Sequence, residues 1–226
     1  MLPLQVTVSG VSAGASLTAV QLLNPQIEKL VRGAILQSGS PNGLRTHTAA
    51  RNEPIWQGFV GNVASCANIS TSGRVYDCLK LAPIEEIFTA VVQSAINIDL
   101  PWDPTLDIGE GSVFLDYPSS LYAKGHFARV PFIAGTNLDE GTFFAQSQER
   151  SNPLDLTTWI LTQHSPPTVS QQALEDVADK LLELYPDDPA LGSPFGTGDE
   201  LFGLPSSFKR RGALGTVRCN SCRFPF

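Results

Sequence analysis

The chain has 226 residues, 42% of them hydrophobic and 16% charged, with a net charge of −7. That is enough length and apolar content for one sizeable core, while the acidic balance and the lack of a basic aromatic patch speak against a nucleic-acid partner. No run of eighteen apolar residues is present, so no membrane span is expected, and the first residues lack the charged and apolar regions of a signal peptide.

The first element carries the most information. Val6 and Val8 alternate with polar residues, as in a strand, and lead into Gly10-Val11-Ser12-Ala13-Gly14. Residues 13–23 are helix-compatible and stop at Asn24-Pro25. A Gly-x-Ser-x-Gly turn between a strand and a helix presents its serine at a strained backbone position, as a nucleophile elbow does. The residues two positions away on either side are expected to be small for lack of room. The N–H of Ala13, at the positive end of the helix, would be open to an oxyanion. The competing reading is a small-residue turn in an unrelated α/β protein. Residues 32–40 form a second short apolar stretch ending in Gln37-Ser38-Gly39-Ser40. Strand, helix and strand within about forty residues make a βαβ unit, hence two parallel strands and an α/β fold.

After the Pro41-Asn42-Gly43 turn, residues 53–67 place Ile55, Phe59 and Val63 at helical spacing, with Pro54 in the first turn. Asn68-Ile69-Ser70 is an N-glycosylation sequon between Cys66 and Cys78. Two cysteines around a polar loop suggest a disulfide formed in an oxidising compartment, the alternative being two buried thiols. Residues 83–94 predict a helix with Ile84, Ile87, Phe88 and Val91 inward. A loop follows around Pro101–Asp107, and residues 113–115 are a candidate extended piece. Residues 130–137 predict a buried strand, followed by Asp139-Glu140-Gly141. An acidic pair just past an apolar strand lies where α/β sheets carry functional groups, and only one of the two carboxylates can face a site. Residues 170–185 form an amphipathic helix capped by Ser170, with Leu174, Val177, Leu181 and Leu184 on one stripe. Residues 192–203 are Gly/Pro-rich loop. From Lys209 to the end there are five basic residues and no acidic one, a pattern that predicts a solvated, loose terminus. Cys219-Asn220-Ser221-Cys222 lacks the second ligand pair or redox context that a C-x-x-C site needs.

Four separated segments resemble, in order, the type-B carboxylesterase/lipase family, which includes fungal lipases and cholinesterases: the elbow, the 32–41 segment, the Cys66–Cys78 loop and the 134–144 stretch. The resemblance runs from about Val6 to about Arg211. It implies an incomplete α/β-hydrolase domain over residues 1–211, a mostly parallel sheet with flanking helices, and a divergent tail over 212–226. By position, Ser12 matches the nucleophile, Glu140 the acid of a Ser-Glu-His triad, Ala13 the oxyanion-hole donor, Ser40 a serine supporting the triad, and Cys66 and Cys78 a family disulfide. The implied reaction is hydrolysis of small-molecule or lipid carboxylic esters through an acyl-enzyme, with no cofactor and no metal, in a secreted glycoprotein.

Three departures from the family pattern stand out. Val11 replaces the usual glutamate, and the glycine-rich oxyanion loop expected upstream and the His-Gly expected downstream have no counterpart. His47, His126 and His164 have no family counterpart as the base. The resulting expectation is a clipped ester hydrolase that is inactive by itself. The alternatives are a non-catalytic esterase-like binding domain or a chain that does not fold stably.

Overall fold

The computed structural model describes residues 6–41, 46–94, 102–106, 109, 112, 115–151, 155–162 and 170–220. It divides into two compact units, residues 1–45 with 116–226, and residues 46–115. The candidate strand at 113–115 and the second cysteine of the C-x-x-C lie largely outside the described residues, as does His164.

Among the described residues, the first unit is built on three parallel strands, β1 (Thr7–Val11), β2 (Gly33–Gln37) and β5 (Phe132–Gly135), in the order β1-β2-β5. Thr7 lies opposite Gly33 and Val11 opposite Gln37, while Ala34 lies opposite Phe132 and Gln37 opposite Gly135. All three strands therefore end at one rim. Helix α1 (Ala13–Gln21) connects the first two strands and packs Ala15 and Ala19 against Leu36. Small residues on this face bring the helix close to the sheet. A second cluster joins Leu22, Ala34 and Ala128. The Tyr122 hydroxyl donates to the Ala19 carbonyl at 2.9 Å, and burial pushes its pKa up. Tyr122 belongs to α5 (Pro118–Ala123), whose N-cap Tyr117 follows Asp116. The Lys124 ammonium, the Ser120 hydroxyl and the Tyr117 N–H hold the Asp116 carboxyl down at about 2. The sheet differs from expectation at β5. Its Ile133 is 69% exposed, so β5 is an edge of the described sheet and only β2, with Ala34 and Leu36, is buried.

Helices α6 (Glu140–Ser151), α7 (Leu156–Thr162), α8 (Gln171–Leu184) and α9 (Ser207–Asn220) complete this unit. Ser170 caps α8 by accepting from the Ala173 N–H at 3.2 Å. The inward stripe is rotated from the expected one: Ala178 is fully buried, with Leu181 and Leu182 beside it, while Val177 and Leu184 are exposed. A search for large apolar residues overlooks an alanine, yet Ala178 is buried in one cluster with Trp159, Ile160 and Leu214. Residues 209–216 of the basic segment are packed rather than loose. Lys209 is fully buried, its ammonium donating to Thr197 Oγ1 at 2.9 Å and to the Gly198 carbonyl. Arg210 donates to the carbonyls of Leu182 and Tyr185, supplying positive charge at the C-terminus of α8. Arg211 is buried with its guanidinium over the Trp159 ring. Helix α9 runs without a break through residue 212, and residues 212–216 are buried.

The second unit pairs β3 (His47–Thr48) with β4 (Thr105–Leu106) and packs α2 (Ala49–Asn62), α3 (Val75–Leu81) and α4 (Ile84–Ser94). Helix α2 starts earlier than the proline suggests, because the Thr48 hydroxyl caps it by accepting from the Arg51 N–H. Its core is Phe59, Val60, Val63, Cys66, Val75 and Ala90. On α4 the inward face is Ile87, Ala90 and Val91, with Ile84 and Phe88 exposed, again a stripe turned toward an alanine. Cys66 and Cys78 form a disulfide. Closing a loop of 12 residues in sequence separation stabilises the fold by about 3 kcal/mol in the chain-entropy description. His47 Nε2 lies 3.4 Å from Asp103 Oδ2, both side chains nearly buried.

Candidate active site

The serine turn is as strained as its spacing implies. Ser12 adopts φ 55° and ψ −123°, a left-handed conformation that costs a non-glycine residue about 1–3 kcal/mol. What holds it there is the sheet and the helix together. The Ser12 N–H donates to the Gln37 carbonyl at 2.8 Å, and the Ser12 carbonyl accepts from the Ala15 and Ser16 N–H groups at 3.0 and 3.1 Å. An ordinary N-cap serine turns its hydroxyl onto the first helical N–H groups. Ser12 makes no such capping bond and is exposed. Ala13 is the first residue of α1, so its N–H is one of the donors a helix leaves open at its start.

Two glycines make this turn sterically possible. A Cβ on Gly10 would lie 2.2 Å from the Gly14 carbonyl oxygen, and one on Gly39 would lie 2.4 Å from the Ser12 carbonyl oxygen. The symmetrical expectation is corrected at Gly14, where a Cβ would meet nothing within 4 Å among the described residues. The tight contact is Gly10 against the backbone of residue 14; the second obligatory glycine is Gly39, after β2.

The acid turn lies across β2 from the serine turn. Glu140 opens α6 just past β5, and its Oε1 accepts from the Asn137 N–H at 2.9 Å, from Asn137 Nδ2 at 3.0 Å and from the Ser38 hydroxyl. Desolvation is the largest single influence and pushes the carboxyl up. The Asn137 N–H, the Ser38 hydroxyl and the Asn137 amide together outweigh it and hold the pKa below its ordinary value. Asp139 takes other partners, accepting at Oδ1 from Ser193 Oγ at 2.7 Å and the Phe195 N–H at 2.9 Å.

The serine on the carboxylate is thus Ser38, two residues before Ser40, which is buried. Ser38 has φ 56°, and its N–H donates to the Gly135 carbonyl at 2.8 Å. One β2 end therefore serves both turns, with Gln37 tied to Ser12 and Ser38 tied to Glu140. Adjacent strands lie about 4.8 Å apart, so turns on either side of β2 stand about 10 Å from each other. The only sequence signal for Ser38 is the small-residue run after β2, which does not say which hydroxyl faces the acid.

His126 is exposed and precedes β5, and Ala128 nearby donates to the Leu22 carbonyl past the far end of α1. It therefore sits at the opposite end of the sheet from Ser12. His47 belongs to the second unit, paired with Asp103. Among the described residues, no group of three metal-ligating side chains is present, and no helix is long and apolar enough to cross a membrane.

Comparison with known proteins follows the same lines. Secreted lipase 1 of Botryotinia fuckeliana (strain B05.10) is 32% identical over 209 residues, which is 86% of this chain and 34% of that protein. Lipase 2 of Geotrichum candidum is 29% identical, covering 94% of this chain and 38% of the relative. Zebrafish (Danio rerio) acetylcholinesterase is 30% identical over 63% of this chain and 22% of its own length. The chain thus spans little more than a third of the lipases it matches. Among solved structures, Aspergillus niger EstA superposes with a TM-score of 0.61 at 22% identity, covering 92% of this chain and 37% of EstA, and so shares the fold. The carboxylesterase family model matches residues 3–194. A strained serine turn, an acid turn across the neighbouring strand and a family match over most of the sequence lead to one conclusion: this chain is a partial α/β-hydrolase fold belonging to the carboxylesterase family.

Proposed function

We propose that this chain carries two of the three catalytic groups of a serine ester hydrolase acting on small-molecule or lipid carboxylic esters. The observation that carries the reading is the double use of β2, whose end holds the Ser12 turn on one side and the Glu140 carboxylate on the other. Ser12 is the nucleophile, attacking the ester carbonyl to form an acyl-enzyme. The Ala13 N–H donates to the oxyanion, a contact worth about 3–4 kcal/mol in related chemistry. Glu140, ionised and held by Ser38 and Asn137, orients a histidine and stabilises its charged form. Ser40, buried two residues past Ser38, is the second serine that supports this arrangement. The base is a histidine supplied from outside the described residues, since His126 sits at the wrong end of the sheet and His47 is engaged with Asp103.

The family relatives named as secreted lipases and the Cys66–Cys78 disulfide support an extracellular protein. Asn68, exposed on a short turn inside the disulfide loop, is accessible for N-glycosylation.

The experiment is hydrolysis of a short-chain nitrophenyl ester by the purified chain beside Ser12→Ala, with circular dichroism and a thermal melt on both. A folded chain whose rate equals that of Ser12→Ala fits the reading of a site lacking its base. Turnover that Ser12→Ala abolishes refutes it.

A further inference from the structure

We propose that Thr216 and Ser193 are positioning residues that clamp the Asp139–Gly141 turn from two sides and so fix where the Glu140 carboxylate stands. The inference rests on the reading of Glu140 as the acid of the site. The Gly141 N–H, a donor that α6 leaves open at its start, donates to Thr216 Oγ1 at 2.9 Å. The same hydroxyl donates to the Gly212 carbonyl at 2.9 Å, so both its donor and its acceptor capacity are used. Thr216 is 3% exposed. Helix α9 approaches so closely that a Cβ on Gly141 would lie 2.1 Å from the Gly212 carbonyl oxygen and 2.2 Å from the Thr216 nitrogen.

On the other side, Ser193 is fully buried and donates to Asp139, while its oxygen lies 2.7 Å from Thr142 Oγ1. With the Ser193 proton spent on Asp139, Thr142 is the donor of that second bond. The Ser193 N–H in turn donates to the Lys209 carbonyl of α9 at 3.0 Å. Residues 139, 141 and 142 are thus each bonded to α9 or to the segment tied to it. Glu140 alone is turned the other way, toward Ser38 and Asn137. Neither Thr216 nor Ser193 touches the carboxylate, so each acts through the backbone of the turn. A shift of that backbone lengthens all three bonds that keep the carboxyl ionised.

The test is an NMR pH titration of the Glu140 side-chain carboxyl, with amide exchange of Gly141, in the unaltered chain, Thr216→Val, Thr216→Ser and Ser193→Ala. Thr216→Val keeps the shape and loses the acceptor. The expected result is a Glu140 midpoint raised toward the ordinary glutamate value and at least tenfold faster Gly141 exchange, with Thr216→Ser retaining both native values. Ser193→Ala raises the midpoint as well, and decides the matter if Thr216→Val does not fold. A midpoint unmoved in either folded variant overturns the proposal. The ester assay leaves this outcome untouched, so failure of the clamp and failure of the hydrolase reading are separable.

Discussion

At the end of β1 the chain holds Ser12 through one cross-strand bond and its own helix start, and leaves the side chain in solvent. At the end of β5 it surrounds residues 139–142 with hydroxyls and N–H groups from four segments. The serine turn stores strain and keeps its reactive group free. The acid turn is relaxed by comparison and spends its hydrogen bonds on fixing a charge. A nucleophile must move onto a substrate, whereas the group that orients a base must not move at all.

The largest effect is expected where the acid turn meets α9. Gly141→Ala forces a methyl into the α9 backbone and costs about 3 kcal/mol or more, read as a lowered melting temperature with loss of Gly141 amide protection. At the serine turn, Gly10→Ala and Gly39→Ala each cost about 2–3 kcal/mol by the same kind of clash. Gly14→Ala, one turn away, has open space and a helical position, and is neutral or stabilising by up to about 1 kcal/mol in the same melt. A Gly14→Ala loss as large as that of Gly10→Ala would erase the distinction between the two.

A smaller effect of opposite sign distinguishes strain from packing. Ser12→Gly relieves the left-handed φ and raises stability by about 1 kcal/mol in a denaturant titration, whereas a serine at ease would show a loss. The smallest effect is the pH dependence. The folded-state pKa of Glu140 is depressed, so its contribution to stability is present above the ordinary glutamate value near 4.5 and is lost as pH falls through the folded value. Ser38→Ala removes part of that depression. The gap in melting temperature between the chain and Ser38→Ala is therefore widest near neutrality and narrows on acidification.

The serine turn was legible in the sequence because its constraint is local: a strand, a helix and glycines at fixed spacing admit few other structures. The acid turn was legible in part, through an acidic pair and a glycine after an apolar run. What secures it comes from residues far along the chain, Ser38, Ser193 and Thr216, whose approach is decided by helix packing that no local pattern records. The same limit explains the rotated faces of α4 and α8, where Ala90 and Ala178 are fully buried and the larger Phe88 and Val177 face solvent. It also explains Lys209 and Arg211, charged residues buried because Thr197, Gly198 and the Trp159 ring come round to meet them.

The central claim is that one strand end serves both turns, and amide hydrogen exchange at Ser12 and Ser38 tests it most directly. The Ser12 N–H is bonded to the Gln37 carbonyl and the Ser38 N–H to the Gly135 carbonyl, each at 2.8 Å. The account predicts that both amides are protected to the level of the β2 strand amides. Exchange of either one at the rate of an unstructured chain would contradict it.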